Sequence, residues 1–324
     1  MRAGLDVGGT KIEALALTAD GRIAARTRIP TGWGDDGVVA AVHDAIAALA
    51  AEGGFPVSDV ASIGIGIPGL VDAERGRVLH AVNLGVAELD LAAAVRARLA
   101  VPVAVENDVK AAAVGAGSLR GDAHSMAYLN LGTGVAAGIV IDGRLWRGAR
   151  GTAGEVGHLS VDPEGRVCGC GQRGCIETFC GGGAVSKAWG RGGALPILDI
   201  FDRAEQGDPL AIELRAGVAY GAASAVRALV LGADVETVVL GGGVTALGDR
   251  LLDDLRRRLR AEAASSAFIG SLRLEDRVEL LPPGSPAAAL GAALVGASQP
   301  TPPSRPASAS VPVASNTPEG ALHG

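Results

Sequence analysis

The sequence has few aromatic residues, no excess of positive charge and no long uncharged apolar run. Three Trp, two Tyr and four Phe in 324 residues argue against a base-stacking surface for single-stranded nucleic acid. A net charge of -6 argues against broad binding to phosphate backbones. No stretch reaches the roughly 18 uncharged apolar residues of a membrane span, and Asp6 interrupts the region where a secretory leader would be apolar. We therefore expect a cytosolic protein that binds neither nucleic acid nor membrane.

The composition is instead rich in small and apolar residues. The hydrophobic fraction is 48%, which is ample for a sizeable core, and the length suggests two domains. Glycine, at 49 residues, is about twice as frequent as in an average protein. Because there is no Gly-X-Y period, we expect these glycines in loops where the backbone approaches another group closely.

Apolar strands alternate with helical patterns along the chain. Short strands at Leu5–Val7 and Ile12–Leu17 precede a helix at Val38–Ala51, and a buried strand at Ser62–Ile67 ends at Pro68-Gly69. This alternation predicts an α/β fold with parallel strand pairing, whose ligands bind at the carboxyl ends of the strands.

A weak internal repeat relates the two halves of the chain. Residues 5–10 (LDVGGT) are followed by a strand and Asp20-Gly21, while residues 129–134 (LNLGTG) are followed by a strand and Asp142-Gly143. Both copies predict a strand, a Gly/Thr turn and two further strands. The repeat indicates two similar domains whose turns face each other. We place them at 1–118 and 119–297, with a Gly- and Cys-rich insertion at 148–183. A Pro/Ser/Ala-rich tail at 298–324 is expected to be disordered.

The two Gly/Thr turns are candidate phosphate-binding loops. Outward-facing backbone amides and an adjacent hydroxyl can cradle phosphate oxygens, although an ordinary hairpin turn explains either copy alone. Neither copy has the spacing of a P-loop or a dinucleotide-binding fingerprint. Two copies and a third turn at Gly241-Gly242-Gly243 favour a nucleotide. Asp6, just before the first turn, is a candidate indirect anchor for Mg²⁺.

A polar trio, Glu106-Asn107-Asp108, stands where a strand gives way to a helix. Asp108 is either the N-cap of that helix or a base that accepts a proton from a substrate hydroxyl attacking a γ-phosphate. Since a helix N-terminus stabilises a negative charge, we expect Asp108 to be ionised and to act mainly by orientation and late proton acceptance.

One segment has the donor set of a zinc site. His158, Cys168, Cys170 and Cys175 offer one imidazole and three sulfurs, a complete tetrahedral set. Zinc is favoured over free thiols, and four protein ligands would make it structural rather than catalytic. Cys180 is the spare cysteine. Folding around the metal would bring Glu155 and Glu177 together near the imidazole, an arrangement suited to a polyhydroxylated ligand.

Seven motifs in this order resemble those of the ROK family of sugar kinases and repressors, within the actin/hexokinase-like superfamily. They are LDVGGTK, GIGIPGLVD, END, LGTG, GEVGH, CGCGQRGCIE and LGGG, and the resemblance as a whole runs from Leu5 to about Ala297. The resemblance implies two RNase H-like domains closing on a cleft, with a sugar deep inside and ATP between the domains. It also implies a homodimer.

The resemblance assigns roles to individual residues. It implies that Asp108 is the catalytic base. The sugar-binding residues that it implies are Gly69, Asn83, Asn107, Asp108, Glu155, His158 and Glu177. The nucleotide-binding residues that it implies are Asp6, Gly8, Gly9, Thr10, Lys11, Gly132, Thr133, Gly134, Gly138, Gly242 and Gly243. His158 would bind zinc through one ring nitrogen and a sugar hydroxyl through the other.

The expected activity is ATP- and Mg²⁺-dependent phosphorylation of a hexose 6-hydroxyl, with glucose as the leading substrate. N-acetylglucosamine, N-acetylmannosamine and fructose are the alternatives. Lys110 departs from the family, because relatives commonly have Asn at this position. We do not expect a DNA-binding repressor, because the first strand begins at about residue 3. We also do not expect a silent sugar sensor, which would not need Asp108 and both loops.

Overall fold

Two five-stranded sheets organise the protein in a computed structural model that describes residues 1–121, 124–193 and 195–297. The strands are, in chain order, β1 (Arg2–Val7), β2 (Lys11–Leu17), β3 (Ile23–Pro30), β4 (Ser62–Ile67), β5 (Leu70–Asp72), β6 (Arg77–His80), β7 (Val103–Asn107), β8 (Ser125–Leu131), β9 (Val135–Ile141), β10 (Arg144–Trp146), β11 (Thr237–Gly241) and β12 (Val278–Leu280). The helices are α1 (Gly34–Gly53), α2 (Leu91–Leu99), α3 (Asp108–Arg120), α4 (Ile176–Cys180), α5 (Gly182–Trp189), α6 (Pro196–Glu205), α7 (Pro209–Ala233), α8 (Asp249–Ala264), α9 (Ala267–Ser271) and α10 (Ala287–Ala297).

The two sheets have the same topology. The first has the order β3-β2-β1-β4-β7 and the second the order β10-β9-β8-β11-β12. In each sheet three antiparallel strands are followed by two parallel ones. The predicted α/β fold with two similar sheets is therefore confirmed. We call the regions built on the two sheets the first and the second lobe.

The helices form where apolar spacing and capping residues agree. In α1 the buried residues Val38, Val42, Ile46 and Leu49 recur every three or four positions, so one face packs on the first lobe. The Asp90 side chain caps α2 by accepting a hydrogen bond from the Ala93 amide at 3.0 Å.

The last helix, α10, packs on the first lobe although the sequence groups it with the second domain. It contacts β1 and β4 of the first sheet and the length of α3. A Cβ on Gly4 would lie 2.0 Å from the Ala289 carbonyl oxygen, and one on Gly64 would lie 1.7 Å from that of Ala292. The helix thus lies directly on the backbone of the sheet. The domain limits at 118/119 remain a prediction, but α10 is spatially part of the first lobe.

The expectation that the abundant glycines lie in loops holds for residues such as Gly8, Gly69 and Gly154, but not for the glycines at the α10 contacts. Gly4 and Gly64 lie within strands, and Gly115 and Gly291 lie within helices that cross face to face. Their missing side chains allow backbone to approach backbone inside regular structure. The predicted disorder of the tail at 298–324 falls outside the described residues.

Among the described helices, α7 is the one long and apolar enough to cross a membrane by length and composition. Just over half of its most apolar window, 56%, is buried inside the protein. Leu214, Val218 and Val226 on this helix are part of the core of the second lobe. Its apolar length is therefore explained by its position in that core.

Candidate active site

A cleft of about 1270 Å³ lies between the two lobes and is lined by residues of both. The predicted site residues among those that line it are Gly8, Gly9, Gly69, Asn83, Asn107, Asp108, Thr133, Gly134, Glu155, His158 and Glu177. All seven residues assigned to the sugar are in this set. Residues up to 169 positions apart in sequence thus meet in one cavity.

The polar trio is placed at the start of α3, which forms part of the cleft wall. Asn107, not Asp108, is the N-cap, because its Oδ1 accepts hydrogen bonds from the amides of Val109 and Lys110, both at 3.1 Å. Its Nδ2 donates to the Gly69 carbonyl oxygen at 3.2 Å. Asp108 is the first helical residue, so capping does not require its carboxylate.

The electrostatics of Asp108 differ from the sequence-based expectation of a readily ionised carboxylate. Burial raises the pKa of Asp108 above its usual range, and the nearby negative charge of Glu155 adds to the rise. The Val109 amide, which donates to Oδ1 at 2.9 Å, and the positive charge of Lys110 oppose it. Burial raises the pKa of Asp108 by more than the amides at the helix N-terminus lower it. The result is a carboxylate more basic than an exposed aspartate.

Asp6 lies near the end of β1, just before the first Gly/Thr turn. Burial raises its pKa to about 7, and the negative charges of Asp108 and Glu13 add to the rise, while Lys11 lowers it. A cation bound near Asp6 and Asp108 would reduce the repulsion between their negative charges. The charge arrangement therefore fits the predicted Mg²⁺, held through Asp6.

The two Gly/Thr turns connect equivalent strand pairs and both reach the cleft. In the first, the Gly8 amide donates to the Lys11 carbonyl at 2.9 Å. In the second, the Gly132 amide donates to the Gly134 carbonyl at 3.0 Å. Gly9 and Thr133 at the tips are exposed, so their backbone groups are accessible to a ligand.

The second turn is also held from behind by the α4–α5 junction. Glu177 Oε2 accepts a hydrogen bond from the Val135 amide at 2.9 Å. The amides of Gly182 and Gly183 donate to the Gly132 and Thr133 carbonyls at 2.8 and 2.9 Å. One carboxylate oxygen of Glu177 thus fixes the loop, and the other remains for a substrate.

Several predicted nucleotide-binding residues are not among those that line the cleft. These are Asp6, Thr10, Lys11, Gly132, Gly138, Gly242 and Gly243. Gly242 has φ +88° and lies against Asn130 at the end of β8, a cleft-lining residue. Gly138 has a packing role instead of a place in the cleft lining. It is buried in β9, where a Cβ would lie 2.5 Å from that of Ala113, so its role is to let α3 pack on the sheet.

The predicted zinc ligands converge at one point. The ligand atoms of His158, Cys168, Cys170 and Cys175 all lie within 4.8 Å of one another. His158 Nδ1 is 3.8 Å from Cys168 Sγ, and Cys170 Sγ is 3.7 Å from Cys175 Sγ. A tetrahedron with Zn–S distances of about 2.3 Å has edges of roughly 3.8 Å. The donor set and its spacing therefore fit zinc.

His158 connects this cluster to the cleft. Its Nδ1 faces the sulfurs, which leaves Nε2 as the ring nitrogen available to a ligand in the cavity that His158 lines. Cys180 is fully buried outside the cluster and donates to the Ile176 carbonyl at 3.5 Å.

Glu155 and Lys110 form an ion pair in the lining of the cleft. Glu155 ends the segment that follows β10, and its Oε1 is 4.0 Å from Lys110 Nζ. Lys110 is only 4% exposed and lines the cavity. Gly69, with φ +98°, is next to the His80 carbonyl oxygen, where a Cβ would lie 1.9 Å away.

Glu106 and Arg147 are two cleft-lining residues to which the sequence assigns no role. Glu106 was seen only as part of the polar trio, yet it is 2% exposed and its Oε2 accepts a hydrogen bond from Arg147 Nε at 2.7 Å. The available signal was a charged residue inside the otherwise apolar strand that precedes Asn107. Nothing in the sequence indicated Arg147 as its partner. The hydrogen bonds from the Gly182 and Gly183 amides to the second turn were not predicted either.

Duplicated lobes, two glycine turns at a shared cleft and a partly buried carboxylate in the same cleft are the arrangement expected of a two-lobed phosphotransferase. The chain belongs to the ROK family, whose sequence pattern matches residues 2–296. It is an ATP-dependent sugar kinase.

Characterised proteins and solved structures support this placement. A glucokinase of Halalkalibacterium halodurans is 34% identical over 80% of this chain and 85% of its own length. An N-acetylmannosamine kinase of Yersinia pseudotuberculosis is 34% identical over 74% of this chain and 82% of its own length. The crystal structure of a ROK family glucokinase from Streptomyces griseus, in complex with glucose and AMPPNP, is 33% identical and has a TM-score of 0.74. That alignment covers 91% of this chain and 99% of the other.

Proposed function

We propose that this protein is a glucokinase that transfers the γ-phosphate of ATP to the 6-hydroxyl of glucose. The partly buried carboxylate of Asp108, which lines the cleft together with residues of both glycine turns, is the observation that supports the chemistry most directly. Glucose is favoured because glucokinases from Halalkalibacterium halodurans and Streptomyces coelicolor resemble the chain over most of its length.

In the proposed reaction Asp108 orients the sugar and accepts its proton. The 6-hydroxyl oxygen forms a bond to the γ-phosphorus, the bond to the leaving ADP oxygen breaks, and the hydroxyl proton passes to an Asp108 oxygen. A raised pKa makes this carboxylate a stronger proton acceptor than an exposed aspartate, provided that it is ionised when the sugar binds.

The remaining cleft residues position the two substrates. The backbone amides of the turns at 8–10 and 132–134 would bind phosphate oxygens, with Gly242 and Gly243 near the adenosine. Mg²⁺, when bound, would neutralise charge on the phosphates, and Asp6 would hold it. Asn107, Glu155, His158 and Glu177 would hydrogen-bond the sugar hydroxyls, with Gly69 and Asn83 lining the same pocket.

We also propose a structural zinc ion on His158 and the three cysteines, a homodimeric assembly and a cytosolic location. The zinc would fix the imidazole and so orient the nitrogen that contacts the sugar. The dimer and the location follow from the family resemblance and the sequence, and size-exclusion chromatography with light scattering tests the dimer.

The rate of phosphorylation is expected to rise with pH through the raised pKa of Asp108. The base works only when ionised, so kcat falls as Asp108 becomes protonated, and the inflection lies above the ordinary aspartate value of about 3.9. Lys110→Met should move the inflection to higher pH, because the positive charge of Lys110 lowers the pKa of Asp108. Rate profiles at saturating substrates test this, and an inflection that the substitution leaves in place would contradict the assignment.

A panel of sugars tests the choice of substrate. ADP release should be fastest with glucose when ATP and Mg²⁺ are supplied, compared with mannose, fructose, N-acetylglucosamine and N-acetylmannosamine. Faster turnover of N-acetylmannosamine than of glucose would contradict the proposed substrate. It would indicate the activity of the Yersinia relative instead. Asp108→Ala is the control for contaminating kinases.

A further inference from the structure

Glu106 is a buried carboxylate that joins the two lobes next to the catalytic base. Both of its oxygens are occupied: Oε1 accepts from the Asn107 amide at 3.0 Å, and Oε2 accepts from Arg147 Nε at 2.7 Å. Glu106 belongs to β7 of the first sheet. Arg147 follows β10 at the edge of the second sheet.

The pair is poorly suited to a purely stabilising role. Burying a carboxylate is costly, and pairing it with a cation recovers the lost hydration only in part, so an apolar pair of similar volume is often at least as stable. Arg147 is partly exposed, with 39% of its side chain accessible. A stable core does not require this arrangement, which ties β7 of the first sheet to the segment that follows β10 of the second.

Arg147 begins the segment that carries Glu155. The other end of this segment is attached to the second sheet, because the Ala137 amide of β9 donates to the Gly154 carbonyl at 2.7 Å. A Cβ on Gly154 would lie only 1.9 Å from the Ala137 carbonyl oxygen, so this attachment is close. The first end is attached to the opposite lobe through Glu106. Segment 147–155 therefore lines the cleft with both ends fixed, and it closes on itself because the Ala153 amide donates to the Arg147 carbonyl at 3.1 Å.

A second charge pair of reversed polarity joins the same segment to α3, the helix that follows β7. Lys110 of α3 faces Glu155, with Nζ and Oε1 4.0 Å apart. In the first pair the segment supplies the cation, and in the second pair it supplies the carboxylate. The two pairs flank Asp108 in sequence, at positions 106 and 110, and they fix one orientation of the segment against the start of α3.

We propose that Glu106 and Arg147 are positioning residues of the kinase. Their ion pair holds segment 147–155 against the start of α3, so that Glu155 and Asp108 face the same sugar. The pair acts through its neighbours: Glu106 fixes the backbone of Asn107, whose side chain caps the helix that begins with Asp108. The proposal rests on the sugar-binding and base roles proposed for Glu155 and Asp108.

The test compares Glu106→Gln, Arg147→Met, Arg147→Lys and the double variant Glu106→Gln/Arg147→Met. Arg144→Met is the matched control, because it removes the same charge from an exposed position in β10. Thermal unfolding, kcat and the KM values for sugar and ATP are measured for each, on whichever sugar the wild type phosphorylates fastest. Turnover of a sugar other than glucose would reject the proposed substrate but leave this comparison valid.

Arg147→Met should raise the KM for sugar and lower kcat, so that kcat/KM for sugar falls at least tenfold. The KM for ATP should stay within twofold of the wild-type value. Arg147→Lys should recover part of the loss, and the double variant should be no worse than the more damaged single variant. Arg144→Met should match wild type. If the single variants lower the melting temperature but leave kcat and both KM values within twofold, the pair is structural only and the proposal is wrong. Additive losses in the double variant would also overturn it.

Discussion

Asp108→Ala is expected to lower kcat for sugar phosphorylation by about 10³-fold, within the range for loss of a general base. Sugar binding should persist, because the other groups assigned to the sugar remain in place. The α3 helix should also persist, since its cap is the Asn107 side chain rather than the Asp108 carboxylate. ADP release measures the first effect and calorimetric titration with the sugar the second.

Two further variants separate the loss of a base from other effects. Asp108→Asn keeps the size of the side chain but cannot accept a proton at neutral pH, so its kcat should fall as far. Asp72→Ala removes another carboxylate of the cleft lining, one hydrogen-bonded to Arg75 at 2.9 Å, and should retain most activity. Wild-type turnover by Asp108→Asn would show that another group takes the proton.

Cys170→Ala is expected to lower the free energy of unfolding by roughly 3 kcal/mol or more, at the upper end of single-substitution effects. Cys170 is exposed, so truncating it loses little packing and the effect reports the loss of a metal ligand. The KM for sugar should rise more than the KM for ATP, because the metal orients His158. Metal analysis, denaturant unfolding and steady-state kinetics measure these effects.

Cys180→Ala provides the control for this experiment. Cys180 is fully buried but lies outside the cluster, so the variant should keep one zinc per chain and a normal KM for sugar. Unchanged stability and sugar affinity after verified removal of the metal would show that zinc neither stabilises the insertion nor orients His158.

Local patterns predicted much of the architecture. The Gly/Thr turns and the strands around them are short-range signals, and their repetition correctly indicated two sheets of one topology. The cluster of His158 and three cysteines was likewise legible, because metal ligands must be of particular types at close spacing.

Long-range contacts account for what the sequence did not reveal. The pairing of Glu106 with Arg147 joins residues 41 positions apart, and nothing near either one in sequence indicates the other. Lys110 would be taken for a solvated residue, yet tertiary packing buries it beside Asp108. The packing of α10 on the first sheet depends on Gly4 and Gly64, which lie in strands far from α10 in sequence. Nothing in the sequence near these glycines indicates that a helix packs on them.

The position of α10 also determines when the protein can finish folding during synthesis. The first sheet is translated by residue 107, but the helix that covers its face spans residues 287–297. Until that helix leaves the ribosome, the face formed by β1 and β4 lacks the helix that covers most of it, while the whole second lobe is still being made. The first lobe is therefore the first to be synthesised and the last to complete its fold. A chain that ends at residue 286 would lack α10 and would expose β1, at the opposite end of the sequence.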